Sequence, residues 1–120
     1  MPYVGLSGQD LTAGQRELLV ALTGPYLEAL PEVPRARRRA QVARHLDQTH
    51  LAWIGTWDDG APFYYRVHSP VLLIEYDNHP GIFLDNDEPE PFHVHTIVRT
   101  PNGGDYGRDL LRQHYARHHR

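Results

Sequence analysis

The hydrophobic period of the 120-residue chain switches from helical to strand-like at His50, and that switch limits what the chain can fold into. Before it, apolar residues recur at helical spacing; after it, short stretches rich in aromatic and β-branched residues alternate with polar ones. A helical half followed by a strand half reads as an α+β fold. The expected order is N-terminal helices, a mainly antiparallel four-stranded sheet, and a C-terminal helix. A chain of this length supports one core, so residues 1–120 are expected to form one domain.

In the helical half, Thr12 and Gln15 have capping-box spacing, and Leu18, Leu19 and Leu22 make an apolar stripe that Gly24-Pro25 interrupts. Tyr26, Leu27 and Leu30 continue the pattern to Pro31. A second helix is expected from Pro34 to about Asp47, with Ala36, Ala40, Ala43 and Leu46 inward. Arg35, Arg37, Arg38, Arg39 and Arg44 then form a solvated face. Strands are expected at residues 50–57, 62–69, 71–77 and 92–99, and a last helix at 105–118. Residues 78–91 hold three prolines and four acidic residues and read as a surface loop, with room for a short strand at 81–84.

Alternation sorts the strand residues into two faces. Phe63, Tyr65, Val67, Leu72, Ile74, Tyr76, Phe92, Val94, Thr96 and Val98 make a core face for the helices to cover. A tight turn at Ser69-Pro70 would pair Val67 with Leu72 and set Tyr64 opposite Glu75. The other face carries Tyr64, Arg66, His68, Val71, Leu73, Glu75, Asp77, His93, His95, Ile97 and Arg99. Mixing aliphatics with histidines, arginines and carboxylates is unusual for a solvent face. It reads as the floor of a pocket.

Composition narrows the chemistry. The absence of cysteine removes disulfides, zinc-thiolate sites, iron–sulfur clusters and a thiol nucleophile. All 12 basic residues are arginine, which removes Schiff-base and P-loop lysines. A net charge of −3 argues against a nucleic-acid partner. No apolar run reaches the ~18 residues that cross a membrane, and residues 1–10 lack signal-peptide character, so a cytoplasmic location without a membrane partner is expected.

Nine histidines remain as the distinctive feature. His93-Val94-His95 places two imidazoles on one side of a strand, within reach of one ion. Glu75 on the same face is the expected third ligand, with His68 or His114 as a fourth. Two histidines and a carboxylate suit non-haem iron(II); three histidines suit copper or zinc. A hydrogen-bonded polar sheet face is the alternative. His79 reads as a turn stabiliser, and His45 and His50 as structural. Arg66 and Arg99 are candidates to orient an acidic substrate or to pair with Glu75 or Asp77, and Tyr64 can supply a phenolic proton. Trp53, Trp57, Tyr106 and Tyr115 read as packing residues.

Several of these segments resemble a known family in order and spacing. They are Trp53-Ile54-Gly55, the run from Tyr64 to Pro70, Ile74-Glu75-Tyr76-Asp77, the run from His93 to Arg99, Asp105-Tyr106-Gly107, and Leu110-Leu111 with His114. Together, over about residues 53–114, they are similar to the bacterial and fungal family known as domain of unknown function 3500, in a compact version that keeps the motif-bearing half. The resemblance implies a shared site built on Arg66, Glu75, His93, His95 and Arg99, and implies no particular reaction.

The functional expectation is a small metal-dependent enzyme with His93, His95 and Glu75 holding a transition metal, iron or copper ahead of zinc or manganese. With open coordination positions, it would oxidise a small organic substrate. Hydrolysis or lyase chemistry with zinc or manganese, and a non-catalytic binding module, are the alternatives. A homodimer is expected, because a sheet covered on one side leaves Leu73, Ile97 and the polar pocket exposed.

Overall fold

The computed structural model describes residues 1–81, 87–90, 92–105 and 110–118. A two-residue strand β1 (Leu6–Ser7) leads through a 3-10 turn into helix α1 (Ala13–Thr23). The capping box is formed: Thr12 Oγ1 accepts from the Gln15 backbone and Gln15 Oε1 accepts from the Thr12 backbone at 2.9 Å. Proline at the second position of Gly24–Leu27 ends the α-helical ladder and the chain tightens into a 3-10 turn there.

Helix α2 (Glu32–Arg44) presents a different face from the one expected. Ala36, Ala40 and Ala43 are exposed, whereas Val42 is buried and Arg35, Arg38 and Gln41 are half-buried. One valine and the stems of long side chains bury more apolar area than three methyl groups. Arg38 is anchored at both ends of its fork, donating to Gln41 Oε1 at 3.1 Å and to Thr100 Oγ1 at 2.9 Å. In α1 likewise only Leu19 of the leucine stripe is fully buried, and Leu18 is exposed.

Four longer strands follow: β2 (His50–Gly55), β3 (Phe63–His68), β4 (Leu73–Asn78) and β5 (His95–Arg99). They pair antiparallel in chain order, and β1 adds a fifth strand beside β2, so the sheet has five strands rather than four. The β3–β4 register also differs from expectation. Ser69 closes the turn, its N–H donating to Leu72 O at 2.8 Å while its Oγ accepts from the Leu72 N–H at 2.9 Å. Val67 therefore pairs with Ile74, and Arg66 rather than Tyr64 faces Glu75. The slip is two residues, so every side chain keeps its predicted face.

Leu19 of α1 and Val42 of α2 pack on Tyr65, Val67, Leu72 and Ile74, which places the helices on the core face. Helix α3 (Leu110–His118) lies near the C-terminus. The start of the expected C-terminal helix, at 106–109, and most of the short strand expected at 81–84 fall outside the described residues, as do Tyr106 and His119.

Candidate functional site

The register arranges the polar face in rows across β3, β4 and β5. Tyr64, Asp77 and His95 form one row, Arg66, Glu75 and Ile97 the next, and His68, Leu73 and Arg99 the third. Rows two residues apart along a strand are about 6.7 Å apart. The histidine motif thus meets Asp77 first and Glu75 one row later.

At the first row, His93 and His95 come together with their Nε2 atoms 3.0 Å apart and their rings tilted by 59°. Asp77, His79 and Pro80 complete the lining of a cavity of about 90 Å³ around them. His79 Nδ1 is hydrogen-bonded to Asp77 Oδ1. His79, expected to stabilise a turn, belongs to this cluster instead. Among the described residues, no group of three or more His, Asp or Glu side chains that could hold a metal ion is found. His114 does not line the cavity; it sits on α3 with its ring 4.9 Å from that of His118.

Glu75, the expected third ligand, accepts a hydrogen bond from the Tyr64 hydroxyl at 2.6 Å. Burial, and then the hydrogen bond and charge of Glu75, push the Tyr64 phenol up to about 12, with Arg66 acting in the opposite direction. Tyr64 is thus a proton-bearing donor at neutral pH, not a base. Arg66 directs Nη1 to Met1 Sδ at 3.2 Å, and its Nε is buried without a hydrogen-bond partner among the described residues.

His68 stands two rows, about 13 Å, from the His93–His95 pair, too far to share an ion with it. It is buried, stacked on Tyr3 at 4.2 Å, and its Nδ1 has no partner among the described residues. Burial first, then the charges of Arg66 and the N-terminus, hold its imidazole below the ordinary value. Arg99 turns away from both Glu75 and Asp77 and bonds Asp105, through Nε at 3.0 Å and Nη2 at 2.5 Å. The Thr100 N–H, and after it Arg99, hold the Asp105 carboxyl below the usual carboxylate range. Leu73, expected to be open to water, is buried, whereas Ile97 is exposed.

Two placements could not be read from spacing alone. Asp77 displaces Glu75 beside the histidines because the β4–β5 register pairs Asp77 with His95, and register depends on the loop between those strands. His79 lies just beyond β4, and only its bond to Asp77 marks it. The alternation of Glu75 and Asp77 on one face was the available signal for a second carboxylate candidate.

The fold is that of a mixed helix-and-sheet protein with a five-stranded antiparallel meander. The chain belongs to the family described as protein of unknown function DUF3500, whose model matches residues 1–108 and so takes in the N-terminal helices as well as the motif-bearing strands. No curated protein and no solved structure matches the chain. Among the described residues, no helix is long and apolar enough to cross a membrane.

Proposed function

We propose that the chain is a metal-dependent enzyme acting on a small organic substrate, with one transition-metal ion held between His93 and His95. The observation that carries this reading is the separation of their Nε2 atoms. Two nitrogens 3.0 Å apart, each at the usual ~2.05 Å from an ion, subtend about 94° at it, within the range of tetrahedral and tetragonal sites. His79, which lines the same cavity, is the third donor in this reading once its ring turns toward the ion, since the described residues hold no ready group of three. A neutral ring that donates from Nδ1 to Asp77 keeps its lone pair on Nε2, and outer carboxylates orient metal-binding imidazoles in this way.

Three imidazoles favour copper, with zinc second, over the iron that two histidines and Glu75 would favour. Copper with an open position supports oxidation of a small molecule by dioxygen, and zinc supports activation of water for hydrolysis. Tyr64 shares the row of Asp77 and His95 and, with its one hydroxyl hydrogen donated to Glu75, offers its oxygen as a hydrogen-bond acceptor toward a substrate. Arg66, with a buried and unpaired Nε, supports a carboxylate-bearing substrate. A homodimer also belongs to this reading, because β5 is an edge strand whose five residues are all exposed.

Oxygen uptake tests the reaction class. Copper-loaded protein purified without a histidine tag is expected to consume dioxygen with a panel of small carboxylate-bearing substrates, and zinc-loaded protein is not. Uptake at the buffer rate across the panel, with copper demonstrably bound, would overturn the oxidative reading in favour of the zinc one.

A further inference from the structure

A second cavity lies at the end of β2, β3 and β4 where Trp53, Phe63 and Asn78 meet. It has a volume of about 340 Å³ and is lined by Trp53, Trp57, Phe63, Asp58, Asp59 and Asn78, among others. Its base is an aromatic stack that runs out of the core. Tyr65, Tyr76 and Phe63 are parallel within about 12° of one another or of Trp53, and Trp53 stacks on Phe63 at 4.9 Å and on Trp57 at 4.6 Å. Trp57 is 81% exposed, so the tryptophan expected to be a packing residue is the open end of the stack. An indole left in water at the mouth of a cavity is a binding surface in waiting.

The backbone is shaped to put it there. Gly55 ends β2 at φ 126, a region closed to other residues, and a Cβ at that position would come within 2.6 Å of Pro62 O. Trp53 Nε1 donates to Gly55 O at 3.1 Å, which fixes the ring on which Trp57 stacks.

The polar lining points to the sign of the ligand. Asp58 and Asp59 form no ion pair among the described residues, and Asn78 Oδ1 is buried without a hydrogen-bond partner. Two uncompensated carboxylates, an unsatisfied amide oxygen and the open negative face of the Trp57 indole all attract positive charge. The Trp53 N–H, a donor that a sugar hydroxyl or an anion could use, is already engaged. We infer that this cavity binds a small free organic cation of the alkylated ammonium class, held by the open face of Trp57 through cation–π contact and by Asp58 and Asp59 through charge.

The two tryptophans of the chain both line the cavity, so intrinsic fluorescence reports on this site directly. Full-length protein titrated with tetramethylammonium chloride, against sodium chloride at equal ionic strength, is expected to show a saturable change. The neutral isostere tert-butanol and glucose are expected to show none. Asp58→Asn with Asp59→Asn should weaken binding about tenfold or more, and Trp57→Ala should abolish it with the circular dichroism spectrum unchanged, since that side chain is exposed. Choline and phosphatidylcholine vesicles separate a free ligand from a lipid headgroup: saturable binding of choline in solution supports the proposal. Vesicle binding without any response to choline or tetramethylammonium would overturn it, as would an equal response to tert-butanol or glucose, or no saturable response to tetramethylammonium up to 100 mM, about a hundred times a millimolar affinity.

Discussion

Replacing both His93 and His95 with alanine is expected to remove metal binding altogether while the fold survives. The two rings sit outside the hydrophobic core, at and just before the edge strand β5, so their loss opens no internal cavity. The same geometry separates the two carboxylates that share their sheet face. Asp77→Asn removes the charged partner of His79 Nδ1 and should weaken metal affinity about 10- to 100-fold, the loss typical of outer-shell changes. Glu75→Gln should leave affinity nearly unchanged, because Glu75 serves the Tyr64 hydroxyl one row away. Competition titrations on the three variants check the ordering. If Glu75→Gln loses affinity and Asp77→Asn does not, the carboxylate of the site is Glu75.

The second large effect falls on stability. Ile74 has no exposed surface and lies second in β4, flanked in register by Val67 and Val98 and packed in the cluster that contains Leu19 and Val42. Ile74→Ala is expected to cost about 2–5 kcal/mol, combining lost burial with a cavity that neighbours on three elements cannot all move to fill. Chemical denaturation should show a lower midpoint at unchanged slope. A cost below about 1 kcal/mol would mean that this strand is not the centre of the core.

Much of this architecture was legible in residue patterns because it depends on local physics. Thr12 and Gln15 announce α1 through hydrogen bonds made within four residues, and Gly24-Pro25 ends it for lack of an N–H. Strand faces were legible because alternation has a period of two, and the two-residue slip between Val67 and Ile74 left every face intact. What depends on partners distant in sequence was not legible. Strand β1 is two residues long and exists only because Leu6 and Ser7 meet Leu51 and His50. The inward face of α2 is chosen by the fit of Val42 and Arg38, one into the core and the other to Thr100, over a more regular alanine stripe. In the site, His95 falls on its predicted face, but β5 starts at His95 rather than at 92, so the approach of His93 to it is not an effect of strand alternation, and the nearness of both to Asp77 and His79 follows from a register set across a long connection. Arg99 was placed on the right face, yet Asp105, six residues on, offered a closer carboxylate than either strand neighbour.

In the proposed site His79, His93 and His95 hold one ion together, and an NMR titration of the nine histidine side chains reads this out ring by ring. Untagged protein titrated with zinc, a diamagnetic stand-in for copper, should saturate at one ion per chain. The imidazole signals of His79, His93 and His95 should shift together, with coordination at Nε2, while those of His45, His50, His68 and His114 stay in place. Saturation with movement of His68 or His114 instead, or no shift at His93 and His95, would contradict the account.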